Sequence, residues 1–361
     1  MVNGQHYLAV GSYASKEEPG ISIYAFDPQT ALLTFVNSFT GVENPSFLTI
    51  DERRSSLYAV SETMTFADER GGSVMAFALD ASSGQLTPYN RLPTYGEFPC
   101  HITLDSTGSW LLVANYIGGN INLFRVLANG EIGEQTDNVQ HSGQGPRADR
   151  QERAHPHSVT LDASETYALV PDLGLDTVFI YKLDTSAARL VPHAETKIAP
   201  GSGPRHFIFH PSEQHYAYVI NELNGTVTAF VFDATQGRLQ PVQTISTLPA
   251  DFTAENNCAD IHISPDGAFL YASNRGHDSI AVFRIHLENG TLSFVEHVST
   301  QGKTPRNFAL SPDGRFLFAA NQDTNSIVSY SIDAATGRLT PLPERTFSTL
   351  HPVCLKFFSI A

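Results

Sequence analysis

Residues Gly203 to Phe232 read GPRHFIFHPSEQHYAYVINELNGTVTAFVF. The stretch divides into strand, turn, strand, short loop and strand. The first strand opens at Pro204-Arg205-His206 and runs through Phe207, Ile208 and Phe209; a polar turn follows at Pro211 to Gln214. The second strand, Tyr216 to Ile220, ends at Asn221-Glu222. Gly225 restarts the chain into Val227 to Phe232, whose β-branched and aromatic residues suit a pleated, half-buried surface. In an antiparallel hairpin the start of the first strand and the end of the second lie at one end. A single repeat therefore brings Arg205, His206, Asn221 and Glu222 together.

The phrase recurs along the whole chain. Its third strand reappears at Ile21, Val74, Ile121, Val178, Val227, Ile280 and Ile327, at an average spacing of 51 residues. A fixed period of this size predicts a solenoid or a propeller. Several repeats end in a tail that opens on Asp and closes on Gly-x-Leu, as at Asp80 to Leu86, Asp233 to Leu239 and Asp333 to Leu339, which predicts a turn into a fourth, outer strand. Four strands per repeat match a propeller blade. The chain opens on a second strand, His6 to Tyr13, and closes on an unpaired first strand, His351 to Phe358. Pairing those two strands in one blade closes a seven-bladed ring without an exposed sheet edge. The predicted fold is all-β, a single seven-bladed β-propeller domain over residues 1–361. One long polar insertion, Gln135 to Ala154, interrupts the spacing and carries three arginines.

Composition narrows the function classes. The net charge of −15 disfavours nucleic acid and anionic lipid as partners. No apolar run is long enough for a membrane span, and Met1 to His6 carry no leader signature. Three scattered cysteines fit neither a disulfide framework nor a zinc site, and the chain reads as cytoplasmic. There is no Gly-rich phosphate loop leading into a helix, so no cofactor is implied. No oligomeric state is implied either.

The ring places first-strand starts and second-strand ends at one mouth of the central channel. Candidates at the starts are Cys100-His101, His157-Ser158, Arg205-His206, Ala259-Asp260 and Arg306-Asn307. At the ends they are Tyr13, Glu62, Asn115-Tyr116, Asp172, Asn221-Glu222, Asn274-Arg275 and Asn321-Gln322. The recurring asparagines read as structural, bonding backbone at the strand ends. The residues that break the repeat, His157, Arg205, Glu222 and Arg275, read as the functional set. Three other chemistries stay open at this point: a metal pair at His155-Pro156-His157, a calcium ring of Glu62, Asp172, Asn115 and Asn221, and a nucleophile at Cys100. No Ser-His-Asp order with a nucleophile elbow is visible.

The motifs His155-Pro-His-Ser-Val159, Gly203-Pro-Arg-His206, Val219-Ile-Asn-Glu-Leu223 and Leu270-Tyr-Ala-Ser-Asn-Arg275 resemble the propeller-type 6-phosphogluconolactonase family, which is similar to the carboxy-muconate lactonising enzymes. Arg150-Gln151 fits the same resemblance. It implies hydrolysis of a small anionic sugar lactone, with the catalytic set at His157, Arg205, Glu222 and Arg275. Glu222 is then the expected general base and His157 a general acid or oxyanion donor, with the two exchangeable; the arginines hold anionic groups. Arg150, His206, Asn115, Tyr116 and Asn307 are the expected substrate contacts. Alternatives are a carboxy-muconate-type cycloisomerase, a metal-dependent sugar lactonase and a non-catalytic binding propeller.

Overall fold

A computed structural model describes residues 5–80 and 82–360. Met1 to Gly4, part of the stretch read for a leader, and Ala81, within the first tail motif, lie outside the described residues. Seven four-stranded antiparallel sheets stand around one ring. Blade 1 contains Pro352–Ile360, Gln5–Ser12, Ile21–Asp27 and Leu32–Phe39, in that order from the channel outward. The first two of these pair from Gln5↔Ile360 to Ser12↔Pro352, which is the predicted closure. Blades 2 to 7 follow in chain order, starting at Leu48, Pro99, Thr160, Pro204, Asn257 and Pro305. Two 3-10 turns, Leu173–Leu175 and Gln322–Thr324, are the only helical segments among the described residues. No helix there is long and apolar enough to cross a membrane.

Burial explains the sequence pattern of each strand. The second strands, such as Tyr216–Asn221 and Trp110–Asn115, are buried at every position because neighbouring blades cover both faces. They are therefore continuously apolar until the terminal Asn. The outer strands alternate, as in Arg189–Lys197 and Arg238–Ser246, since only one face meets a neighbour. The core lies between blades: Tyr218 and Ile220 of blade 5 pack with Ile261 and Leu270 of blade 6. Each such side chain contributes about 1.5–3 kcal/mol when fully buried.

The tail motif locks blade to blade. Its Asp caps the turn: Asp233 Oδ1 accepts from the Thr235 N–H at 2.9 Å and the Gln236 N–H at 3.0 Å. In blades 5 to 7 a glycine ends the turn with positive φ and sits against an aromatic ring of the preceding blade. At Gly290, φ is +71°, and a Cβ would stand 2.4 Å from Cδ1 of Tyr216. The Gly290 carbonyl accepts the Tyr218 hydroxyl at 3.0 Å.

Two features differ from the expectation. The insertion starts later than Gln135, because residues up to Gln140 still pair along the outer strand Ile132–Gln140 of blade 3. Polar residues are tolerated there because the strand lies at a solvent-facing edge. A second insertion, between Ser61 and Ser73 of blade 2, forms a small hairpin, Thr65–Phe66 with Glu69–Arg70. No helical or long polar signal marks it.

Candidate active site

A recurring β-bulge decides which residue of each first-strand start faces the channel mouth. In blade 3 Pro99 pairs with Asn115 and His101 with Ala114, leaving Cys100 unpaired. The same shift leaves Arg205 unpaired in blade 5 and Arg306 in blade 7. Proline brings no N–H to the ladder, and the extra residue leaves the strand's in–out alternation. The residue just after the strand-start proline (Cys100, His157, Arg205, Arg306) is thus the one offered to the mouth. That Pro-x recurrence is the sequence signal that marks Arg306. At second-strand ends the alternation does the selecting. The asparagine turns into its blade, and Tyr116, Glu222 and Arg275, one residue later, turn to the mouth.

A cavity of about 250 Å³ lies at this mouth. Its walls include Glu62 of blade 2, Cys100 and Tyr116 of blade 3, and Glu222, Arg275 and Arg306 of blades 5 to 7. Arg150 and His157, from the connection before blade 4, complete it. Arg205 stands behind Glu222.

Glu222 gathers three guanidiniums. Arg150 Nη2 lies 2.5 Å from Oε1; Arg205 Nε and Arg275 Nη2 lie 3.0 Å and 2.9 Å from Oε2. Burial opposes the carboxylate charge, but Arg275, Arg205 and Arg150 outweigh it and bring the Glu222 pKa down to about 2. Arg150 also donates to Asn257 Oδ1 at 3.0 Å. Arg205 donates to the Ala259 carbonyl at 2.5 Å, and burial with Arg275 and Arg306 nearby lowers its pKa to about 10. Glu62, by contrast, accepts from the Tyr13 hydroxyl at 3.1 and 3.0 Å. Arg306 lies over the Tyr13 ring, 5.3 Å from its centroid. Among the described residues Arg306 has no carboxylate in ion-pair contact.

His157 is buried against Cys100, with Nδ1 3.7 Å from Sγ. Burial, then Arg205 and His206, push its pKa well below the ordinary value, so the ring is neutral. Burial raises the Cys100 thiol, which stays protonated and is a poor nucleophile. His155 faces elsewhere, stacked on Tyr116 with ring centroids 4.4 Å apart and Nδ1 2.8 Å from the Tyr116 carbonyl. The two histidines therefore do not form a metal pair.

Three expected substrate contacts do not line the cavity. Asn115 is fully buried and donates to Asn122 Oδ1 at 2.7 Å, inside blade 3. His206 and Asn307 follow the bulged residues and point to the other side of their strands. Both serve Asp260: His206 Nδ1 lies 2.7 Å from Oδ1, and Asn307 Nδ2 donates to Oδ2 at 2.5 Å. Burial and then Arg205 take the His206 pKa down to about 4. Tyr116 and Arg150 do line the cavity. The calcium ring does not gather, since Asp172 is bound to His141 Nδ1 at 2.7 Å and Asn221 to Thr226 Oγ1 at 2.9 Å. No group of three His, Cys, Asp or Glu side chains among the described residues is placed to hold a metal ion. Tyr13, Glu62 and Arg306 form the part of the site that the residue-by-residue reading left out of its functional set.

The family described as lactonase, 7-bladed beta-propeller, matches residues 7–357. The chain is 38% identical over 348 residues to the 6-phosphogluconolactonase of Bacillus subtilis, covering 96% of this chain and 97% of that one. It is 38% identical over 353 residues to the 6-phosphogluconolactonase of Formosa agariphila, covering 93% and 95%. Among solved structures, the periplasmic gluconolactonase of Pseudomonas aeruginosa superposes with a TM-score of 0.91 at 31% identity, covering 99% of this chain and all of that one.

Proposed function

The chain belongs to the seven-bladed β-propeller lactonase family, and from that premise we propose that it hydrolyses 6-phospho-D-glucono-1,5-lactone to 6-phosphogluconate, a step of the pentose phosphate route. The observation that carries the reading is the charge of the mouth. Four guanidiniums (Arg150, Arg205, Arg275 and Arg306) face or back one cavity against two carboxylates, Glu62 and Glu222. On a chain of net charge −15 this local cationic excess selects an anionic substrate. The cavity is at the small end of ligand pockets, on the scale of one sugar.

Lactone opening needs an activated water, stabilisation of the carbonyl oxygen as it becomes negative, and a proton for the departing ring oxygen. Arg306, without a carboxylate partner, is the cation free to meet new negative charge. Glu222 holds Arg150, Arg205 and Arg275 in place, and Arg150 and Arg275, which line the cavity, orient the substrate. A neutral His157 fits a hydrogen-bond donor to the carbonyl side and not a cationic acid. Three buried, unpaired thiols support a cytoplasmic location.

The experiment is hydrolysis of freshly generated 6-phosphogluconolactone, above its spontaneous rate and with chelator present, beside the unphosphorylated 1,5-lactone. We expect turnover that survives chelation and a higher kcat/KM for the phosphorylated sugar. Activity lost on chelation would indicate a metal-dependent sugar lactonase. Turnover only of a carboxylated muconolactone would indicate a cycloisomerase.

A further inference from the structure

The two carboxylates of the cavity stand in blades 2 and 5, three steps apart, which is the widest separation a seven-membered ring allows. Their surroundings divide the labour between them. Glu222 has guanidiniums against both oxygens, Arg150 hydrogen-bonded to Oε1 and Arg205 and Arg275 in ion-pair contact with Oε2. A carboxylate held in its charged form by three guanidiniums is a weak proton acceptor.

Glu62 is built the other way. Its backbone is pinned, with the N–H donating to the Asn44 carbonyl at 2.9 Å. Its carboxylate is set by one neutral donor, the Tyr13 hydroxyl, which reaches both oxygens. Among the described residues no guanidinium or ammonium makes an ion pair with it. Its side chain nevertheless reaches the cavity wall. Tyr13, whose phenol burial drives further from ionisation, remains a donor throughout. The charged or titratable groups facing Glu62 are Tyr13 from blade 1, Cys100 from blade 3 and Arg306 from blade 7. A carboxylate with open lone pairs, a single orienting donor and a free cation nearby is the arrangement a water-activating group requires.

We propose that Glu62, oriented by Tyr13, is the general base of the lactonase reaction, and that Glu222 acts as the electrostatic anchor of the arginines. The proposal rests on the lactonase reading. Glu62 removes a proton as water oxygen bonds to the lactone carbonyl carbon, and the carbonyl π pair moves onto its oxygen, opposite Arg306. The intermediate then collapses. The bond from that carbon to the ring oxygen breaks, its pair stays on the ring oxygen, and the protonated Glu62 returns its proton there. The product acid loses its own proton to solvent. Tyr13 is a positioning residue, since it touches the base and not the reacting atoms.

The test compares wild type, Glu62→Gln, Tyr13→Phe and Glu222→Gln on fresh 6-phosphogluconolactone, with kcat, KM, pH profiles and thermal melts for each. Glu62→Gln is expected to lower kcat by about 10²–10⁴-fold, the usual contribution of a general base, with its melt preserved. Tyr13→Phe is expected to lower kcat while leaving KM near the wild-type value, because the base loses the donor that orients it. Glu222→Gln is expected to raise KM and lower the melting temperature, with the acid limb still in place. If Glu62→Gln retains near-wild-type kcat, or if Glu222→Gln alone abolishes the acid limb, the assignment is overturned while the lactonase reading stands. An unfolded Glu62→Gln shifts the decision to Tyr13→Phe, whose unchanged kcat would refute the assignment. Wild type inactive on both the phosphorylated and unphosphorylated lactones would instead remove the lactonase reading, and the base with it.

Discussion

Nη2 of Arg150 lies 2.5 Å from Oε1 of Glu222, across 72 positions of chain. A connection between two blades thereby becomes part of the electrostatics at the centre of the ring. Arg150→Ala removes one of three cations from Glu222 and opens the wall formed by residues 141–154. A hydrogen bond to a charged partner contributes about 1.5–3 kcal/mol, so kcat/KM should fall about 10–100-fold. Steady-state kinetics measure the loss, and limited proteolysis between residues 141 and 154 should accelerate in the same variant.

The Glu222 cluster also predicts how stability depends on acidity. Its pKa falls from 4.5 to about 2 on folding, so the unfolded chain binds its proton first as pH drops. The stability it adds is complete above pH 4.5 and drains away as pH falls toward 2. Glu222→Gln should flatten this stretch of a stability–pH curve measured by urea unfolding. At neutral pH it should also destabilise by about 3–5 kcal/mol, because buried guanidiniums lose their counter-charge.

Asp172 anchors the same connection from below. One oxygen lies 2.7 Å from His141 Nδ1 and the other accepts the His155 N–H at 2.8 Å, while Tyr181 Oη lies 2.8 Å from His141 Nε2. Asp172→Ala should lower stability by about 3 kcal/mol, read by thermal melts. It should also raise KM, since Arg150 and His157 flank the freed segment. Combined with Arg150→Ala, the kinetic losses should be less than additive.

Gly290 offers a contrast remote from the chemistry. Its φ of +71° and the 2.4 Å approach to Tyr216 leave no place for a methyl group. Gly290→Ala should cost about 1–3 kcal/mol in a melt. Its kcat/KM, measured below the transition, should match wild type.

The blades were legible because their pattern is set by period and burial: continuously apolar second strands, Asp-to-Gly tails, and a first strand missing at one end and spare at the other. The facing of individual site residues was not. Arg205 and His206, or Arg306 and Asn307, are neighbours in sequence with equal claims to a mouth. A one-residue bulge, which no periodicity encodes, sends Arg306 to the cavity wall and Arg205 to the back of Glu222, and the second of each pair to Asp260. Likewise the three partners of Glu222 come from a connection and two blades, and only closed geometry reveals that they converge on one carboxylate. Glu62 was visible as a strand-end residue, but its freedom from arginines could not be read without the positions of Arg150, Arg205 and Arg275.

The strand pairing that closes blade 1 joins His6 to Ser359 across 353 positions. During synthesis the first three strands of that blade wait, unpaired on their inner side, until nearly all the remaining sequence has emerged. Tyr13 follows the early strand of this seam, and Arg306 belongs to the neighbouring blade 7. The half of the mouth holding Glu62 therefore takes shape at the final step of folding, so a nascent or truncated chain would carry the arginine cluster around Glu222 before it carried a complete catalytic centre.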